Sequence, residues 1–236
     1  TYSAGTVATV AKLTGRFGGR RLSPSSPSAQ DLQNMLTAIE FAAVISSALY
    51  GVLLAARKEL DVIGSITLAF AVAFGGGTLR DLFLDRHPLF WIANAHYSQI
   101  VFVLAALGAF LPRLTHRLEP YLALPDALGL GLFSVLGTIY AVEADAPMFV
   151  ASLMGVVTGT FGGVIGDVIC NEIPRLFRPS PLYATCSFLG AWVYLILIRC
   201  AVPTGWAITG GIAMTVILRL LAVRHGWSFP AARLSP

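Results

Sequence analysis

The 236-residue chain is 56% hydrophobic, only 12% charged and +4 overall at neutral pH, with a mean hydropathy of +0.75. A soluble domain carries roughly 25% charged residues, so this composition excludes a water-covered globule, and continuously apolar runs exclude a barrel of alternating strands. What remains is an all-α polytopic membrane protein, whose basic excess is explained by loop topology and needs no nucleic-acid partner.

Residues 1–31 read as a tail, rich in Gly, Ser and Pro, with Lys12, Arg16, Arg20 and Arg21 and no acid before Asp31. That composition predicts disorder; it is also the composition of a targeting peptide. Seven apolar windows follow, at residues 36–56, 62–84, 99–111, 124–142, 148–170, 182–200 and 206–223. About 20 apolar residues cross a bilayer core, so each is a candidate transmembrane helix, the third being the shortest. A polar tail, 224–236, closes the sequence. The loops after spans 1, 3 and 5 and the C-terminal tail carry Arg57, Lys58, Arg113, Arg117, Arg175, Arg178, Arg224 and Arg233. The remaining loops carry only Arg86 and Arg199, with Glu143 and Asp145. The positive-inside rule then predicts a cytoplasmic C-terminus and, with seven spans, an external N-terminus.

Two stretches repeat. "FGGGTLRD" (74–81) in the second span matches "TFGGVIGD" (160–167) in the fifth, with Asp81 and Asp167 86 residues apart. The same ungapped offset pairs Gly51 with Gly137, Gly76 with Gly162, Gly77 with Gly163, Pro88 with Pro174 and Tyr97 with Tyr183. It also pairs the acids Glu40 and Asp126, and Glu59 and Asp145. This predicts a duplication of residues 32–117 and 118–203, with a seventh helix, 204–223, outside it. Three spans per copy force the copies into opposite orientations: an inverted 3+3 repeat, an architecture whose permeation site lies at the repeat interface.

Glycines at matched depth in two spans predict that both helices bend or unwind, at Gly75, Gly76 and Gly77 and at Gly162 and Gly163. At about 1.5 Å per residue, Asp61 to Gly76 covers roughly 22 Å, and Pro147 to Gly162 the same. Freed backbone at that depth is tolerated where it faces water. The expected ion path is therefore lined by Gly75, Gly76, Gly77, Thr78, Arg80, Asp81, Thr160, Gly162, Gly163 and Asp167. Close helix packing is the competing reading of each glycine pair, and back-bonding to its own helix that of each threonine. His87, Pro88 and Trp91 read as an interfacial turn and anchor. Cys170, Cys186 and Cys200 show no metal or redox spacing and read as small buried hydrophobes; neither metal nor cofactor is expected.

The stretch 75–92, "GGGTLRDLFLDRHPLFWI", together with 159–167, "GTFGGVIGD", resembles the prokaryotic trimeric intracellular cation channel family, whose domain is also labelled a glycine transporter. The resemblance covers residues 32 to about 223. It implies a 3+3 inverted repeat plus a seventh helix, a homotrimer with one pore per protomer bounded by kinked helices 2 and 5, and passage of potassium and sodium ions in the inner membrane among its lipids. The animal relatives' Lys-Glu-Val element has no counterpart: the only Lys-Glu here is Lys58-Glu59, followed by Leu60. A secondary transporter of a small solute such as glycine is the alternative, since broken helices in inverted repeats are equally typical there. No enzyme is expected. An intramembrane aspartyl protease would need Gly-x-Gly-Asp, and Val164 stands two residues before Gly166.

Overall fold

The computed structural model describes residues 29–228; the N-terminal tail up to residue 28 and the last eight residues lie outside it. In chain order the helices are α1 (Ala29–Arg57), α2 (Val62–Phe83), α3 (Phe90–Ala93), α4 (Ala95–Phe110), α5 (Pro112–Leu118), a 3-10 turn (Glu119–Tyr121), α6 (Ala123–Glu143), α7 (Met148–Ile169), α8 (Ala184–Arg199) and α9 (Thr204–His225). The described chain is thus all helix and loop. Helix α1 begins three residues inside the stretch read from sequence as tail.

Five helices (α1, α2, α6, α7 and α9) are long and apolar enough to cross a membrane. Helix α4 with the bent continuation through α5 makes a sixth if that pair is one span. The bend is 99° and falls where Pro112 opens α5 at its first turn, a position that tolerates proline because its missing N–H has no helical partner there. Helix α8 has 16 residues, roughly 24 Å of rise. Large apolar side chains stand exposed on the outer helices, among them Phe102 and Phe110 on α4, Phe149 on α7 and Trp206 and Ile217 on α9, a rim suited to lipid or to another subunit. Of the three cysteines, expected to be buried, Cys186 is; Cys170 is half-buried and Cys200 exposed.

The backbone repeats at the 86-residue offset in its irregularities as well as its helices. Glu59 and Asp145 both have positive φ (53° and 59°), and so do Asp85 and Asn171 (50° and 56°). These left-handed residues close α1 and α6, and α2 and α7, at equivalent points. Leu60 N–H reaches back to Ala55 O as Ala146 does to Ala141 O, and Arg86 N–H to Asp81 O as Glu172 does to Asp167 O. Satisfying the last helical carbonyls this way ends each helix at a fixed residue.

At the centre, α2 and α7 cross antiparallel. A Cβ on Gly76 would sit 2.1 Å from Thr158 O, and one on Gly162 would sit 2.3 Å from Val72 O. Each of these residues is 86 positions from its counterpart in the other contact. Of the bending or unwinding expected, the unwinding is not found: α2 runs as one α-helix from Val62 to Phe83 and α7 as one from Met148 to Ile169, through all their glycines. The glycines bring two backbones together rather than free one, and each helix keeps its own hydrogen bonds because the close approach needs only a missing Cβ. Further small-residue contacts join α6 to α7, where Gly137 abuts Thr158 and Gly155 abuts Thr138.

Because α2 and α7 are antiparallel, their C-terminal ends point opposite ways. Ion pairs sort the loops accordingly. Arg57 meets Glu119 at 3.6 Å, and Lys58 meets Glu172, so the loops after α1, α5 and α7 lie together. The C-terminal end joins them through Leu182 N–H donating to Trp227 O at 2.8 Å. Arg86 reaches Glu143 at 3.5 Å, joining the loops after α2 and α6.

Candidate functional site: two buried charge clusters and the cavity between α1, α2, α6 and α7

The first cluster sits at the C-terminal end of α2. Arg80 and Asp81 are each only 1% exposed. The Arg80 Nε and Nη2 both lie 2.8 Å from Asp81 Oδ1, and Nη2 lies 3.4 Å from Glu40 Oε1 of α1. Its guanidinium also stacks 4.5 Å from the Tyr140 ring on α6. The other Asp81 oxygen accepts the Phe90 N–H at 2.8 Å, which ties the loop after α2 back onto the helix. Tyr97 donates to Glu40 Oε2 at 3.5 Å.

The second cluster is its counterpart at the end of α7. Asp167 Oδ2 accepts the Arg175 N–H at 2.9 Å and lies 3.3 Å from Arg175 Nε. The Arg175 guanidinium bonds the Tyr50 hydroxyl of α1 and lies over the Tyr50 and Tyr183 rings. Tyr183 donates to Asp126 Oδ1 at 3.4 Å. Thus Glu40–Tyr97 and Asp126–Tyr183 are one motif used twice, as are Asp81 and Asp167, each accepting a backbone N–H from beyond the end of its helix. The arginines do not repeat in sequence: Arg80 is on the helix and Arg175 in the loop. Each cluster has a second cation: in the first, Arg86 Nε lies 3.8 Å from Asp81 Oδ1; in the second, Arg219 of α9 places Nη2 and Nε 3.0 and 3.2 Å from Asp126 Oδ2.

An isolated charge buried this deeply costs several kcal/mol. Pairing offsets part of that cost in both clusters, and burial keeps Asp81 (1% exposed) and Asp167 (5% exposed) from the surroundings.

Between α1, α2, α6 and α7 lies a narrow cavity of about 20 Å³, lined by Ser47, Tyr50, Gly76, Asp126, Thr158 and Gly163 among others. That is room for about one water molecule. Of the residues picked out from sequence, Gly76, Gly162 and Gly163 border it. Gly75 packs against Ile165 and Gly77 against the Phe90 ring. Thr78 accepts a hydrogen bond from Trp91 Nε1 at 3.1 Å. Thr160, fully buried, donates to Val156 O of its own helix; the cavity is bordered instead by Thr158.

Glu40, Asp126, Arg175 and Arg219 were not expected at the site. Glu40 and Asp126 were visible as matched acids in apolar runs, and Arg219 as a lone charge inside the seventh span, a signal that marks function by default. Among the described residues no cluster of His, Cys, Asp or Glu could hold a metal ion.

This is an all-helical membrane protein built on a duplicated helical unit, with its buried charge gathered at the ends of two crossing helices. The family model described as "Glycine transporter" matches it twice, over residues 37–113 and 123–199, again 86 residues apart. A "UPF0126 membrane protein" of Vibrio cholerae is 36% identical over 80% of this chain and 79% of its own length. The "UPF0126 inner membrane protein YadS" of Escherichia coli K12 is also 36% identical, over 79% and 91%. Among solved structures, the TRIC trimeric intracellular cation channel orthologue from Rhodobacter sphaeroides superposes with a TM-score of 0.77 at 31% identity, covering 83% of this chain and 100% of that one. A structure described under conductance through TRIC cation channels gives 0.77 at 28%, covering 85% and 98%. The chain therefore belongs to the UPF0126 family with its paired glycine-transporter domains, the family of the prokaryotic TRIC channels. Its relatives are membrane proteins and channels, not enzymes.

Proposed function

We propose that the chain is a monovalent cation channel passing potassium, assembled as a homotrimer with one path in each protomer. One observation carries the reading: a polar cavity sits against the α2–α7 glycine crossing, in a fold matched at a TM-score of 0.77 by a TRIC cation channel. The path runs beside the crossing, along Ser47, Gly76, Thr158, Gly162 and Gly163. The Arg80–Asp81 cluster guards one mouth and the Asp167–Arg175 cluster the other. Gly75, Gly77, Thr78 and Thr160 support its wall. A cavity of one water is a closed path, and conduction requires it to widen; weak contacts with hydroxyls and carbonyls then suit an ion that must also leave.

In this reading residues 32–117 and 118–203 form inverted halves related by a pseudo-two-fold axis in the membrane plane. The antiparallel α2–α7 crossing and its matched glycine contacts support that relation. Helix α8 is the counterpart of α4, each 16 residues long, and α9 (204–223 in the sequence) stands outside the duplication as the seventh span. The basic loops that lie together with the C-terminal end favour a cytoplasmic C-terminus and an external N-terminus.

The alternative is a carrier of a small solute such as glycine, favoured by the description of the matching family model. Purified protein in planar bilayers under a potassium chloride gradient separates them. Unitary currents reversing toward the potassium equilibrium potential are expected of the channel. Saturable, gradient-coupled glycine uptake by proteoliposomes without unitary current would assign the carrier.

A further inference from the structure

The cavity has one charged side chain among its described lining residues, Asp126. Its two oxygens have different surroundings. Oδ2 is held by Arg219 at 3.0 and 3.2 Å, with Arg175 Nη1 at 3.7 Å. Among the described residues Oδ1 is met by the Tyr183 hydroxyl at 3.4 Å, a long hydrogen bond. Asp126 and Asp167 are balanced by Arg175 and Arg219, so this end of the cavity is close to neutral. Three of those four charges belong to the second copy of the duplication, and the balancing fourth comes from α9. In the first cluster, whose residues do not line the cavity, Glu40 and Asp81 are met by Arg80 and by Arg86 of the loop after α2, 3.8 Å from Asp81. The second cation of the cavity-side cluster thus comes from the seventh helix, whereas that of the first cluster comes from a loop of its own repeat.

We infer that Asp126 sets the charge selectivity of the path and that Arg219 tunes it from the seventh helix. This rests on the channel reading. A cation in the cavity meets Asp126 Oδ1, and its attraction is offset by the guanidinium on Oδ2. Inside protein, where the effective dielectric is low, one unit charge at such range dominates the local potential. Removing the carboxylate leaves an excess of positive charge facing the ion; removing the guanidinium leaves an excess of negative charge. The two changes act in opposite directions, which damage to the fold does not.

Arg219 also donates to Pro181 O and Leu182 O at 2.9 and 3.0 Å, so it anchors the loop after α7. A substitution there can disturb packing as well as charge, and the charge-preserving variant separates the two.

The test is the reversal potential in bilayers under a potassium chloride gradient for Asp126→Asn, Arg219→Gln, Arg219→Lys and the double variant Asp126→Asn/Arg219→Gln. Asp126→Asn should lower the potassium-to-chloride permeability ratio and Arg219→Gln raise it, each by roughly tenfold. Arg219→Lys should keep the wild-type ratio, and the double variant should return most of the way to it, giving a result even if Arg219→Gln alone does not assemble. Equal ratios in all variants, a shift of the same sign in both single variants, or Arg219→Lys behaving as Arg219→Gln would overturn the inference while leaving the channel reading intact. An absence of current from the wild-type protein would overturn the channel reading, and the inference with it.

Discussion

Gly76 lies so close to Thr158 that a Cβ on the glycine would stand 2.1 Å from the threonine carbonyl oxygen. The same relation holds between Gly162 and Val72 at 2.3 Å, so the crossing of α2 and α7 is symmetric at the level of single atoms. Carbonyls of intact helices cannot swing aside, and an added methyl forces the helices apart. Gly76→Ala and Gly162→Ala should each lower stability by about 1–3 kcal/mol, the usual cost of overpacking. Thermal unfolding in detergent reads this directly. Gly205, where an added methyl would meet no atom within 4 Å, is the control, and its alanine variant should unfold as the wild type does.

Two ion pairs bridge the copies with reversed polarity, at positions that match for Arg86 and Glu172 and fall one residue short of matching for Lys58 and Glu143. Arg86, in the loop after α2, meets Glu143 at the end of α6. Eighty-six residues on from Arg86, Glu172 in the loop after α7 meets Lys58, just past the end of α1. The hydrogen bond from Lys58, above all, holds the Glu172 carboxyl below the usual range. A depressed carboxyl stabilises the fold above its unfolded pKa of about 4.3, and that contribution is lost as pH falls through the folded value. Glu172 is one-third exposed, so solvent screening limits the pair to about 0.5 kcal/mol. The unfolding temperature of wild type minus that of Glu172→Gln should therefore be small and positive near pH 7, and shrink to nothing as the pH falls through the lowered folded value. A difference that persists in acid would show that the pair is not its source.

Arg80 is the residue whose loss should hurt most. It neutralises Asp81 and Glu40 in a setting where neither meets solvent. Arg80→Met removes the ion pair of Glu40 and leaves Asp81 with the longer contact to Arg86 at 3.8 Å, and should cost about 3–5 kcal/mol, the range for breaking a buried pair. Arg80→Lys keeps the charge but loses the fork that puts Nε and Nη2 on one oxygen, and should fall between. Asp81→Asn keeps an acceptor for the Phe90 N–H and should also be milder. Size-exclusion profiles and unfolding temperatures of the three variants rank them.

The helices were legible in the sequence because lipid-facing and core-facing residues alike must be apolar, so each span is a continuous run. The duplication was legible at Gly76, Asp81, Gly162 and Asp167 because the crossing and the loop-tying carboxylates allow few other residues. What the glycines do was not legible. A glycine pair reads the same whether it loosens one helix or admits a second, and only the position of Thr158 O against Gly76 decides between them. Nor was the second cluster: Arg175 looks like any basic loop residue until the chain folds it back onto Asp167 and Tyr50. Arg219 is brought to Asp126 by a helix that the repeat pattern leaves out.

The central claim is that ions pass beside the glycine crossing, through the cavity that Ser47 borders and Thr160 does not. Silver, a monovalent cation close to potassium in size, binds thiolates and tests it in chloride-free solution. With Cys170, Cys186 and Cys200 replaced by serine, Ser47→Cys and Thr160→Cys are compared in planar bilayers. The account predicts that silver abolishes the current of Ser47→Cys and leaves that of Thr160→Cys unchanged. A current through Ser47→Cys that silver does not touch, or block of Thr160→Cys instead, would contradict it.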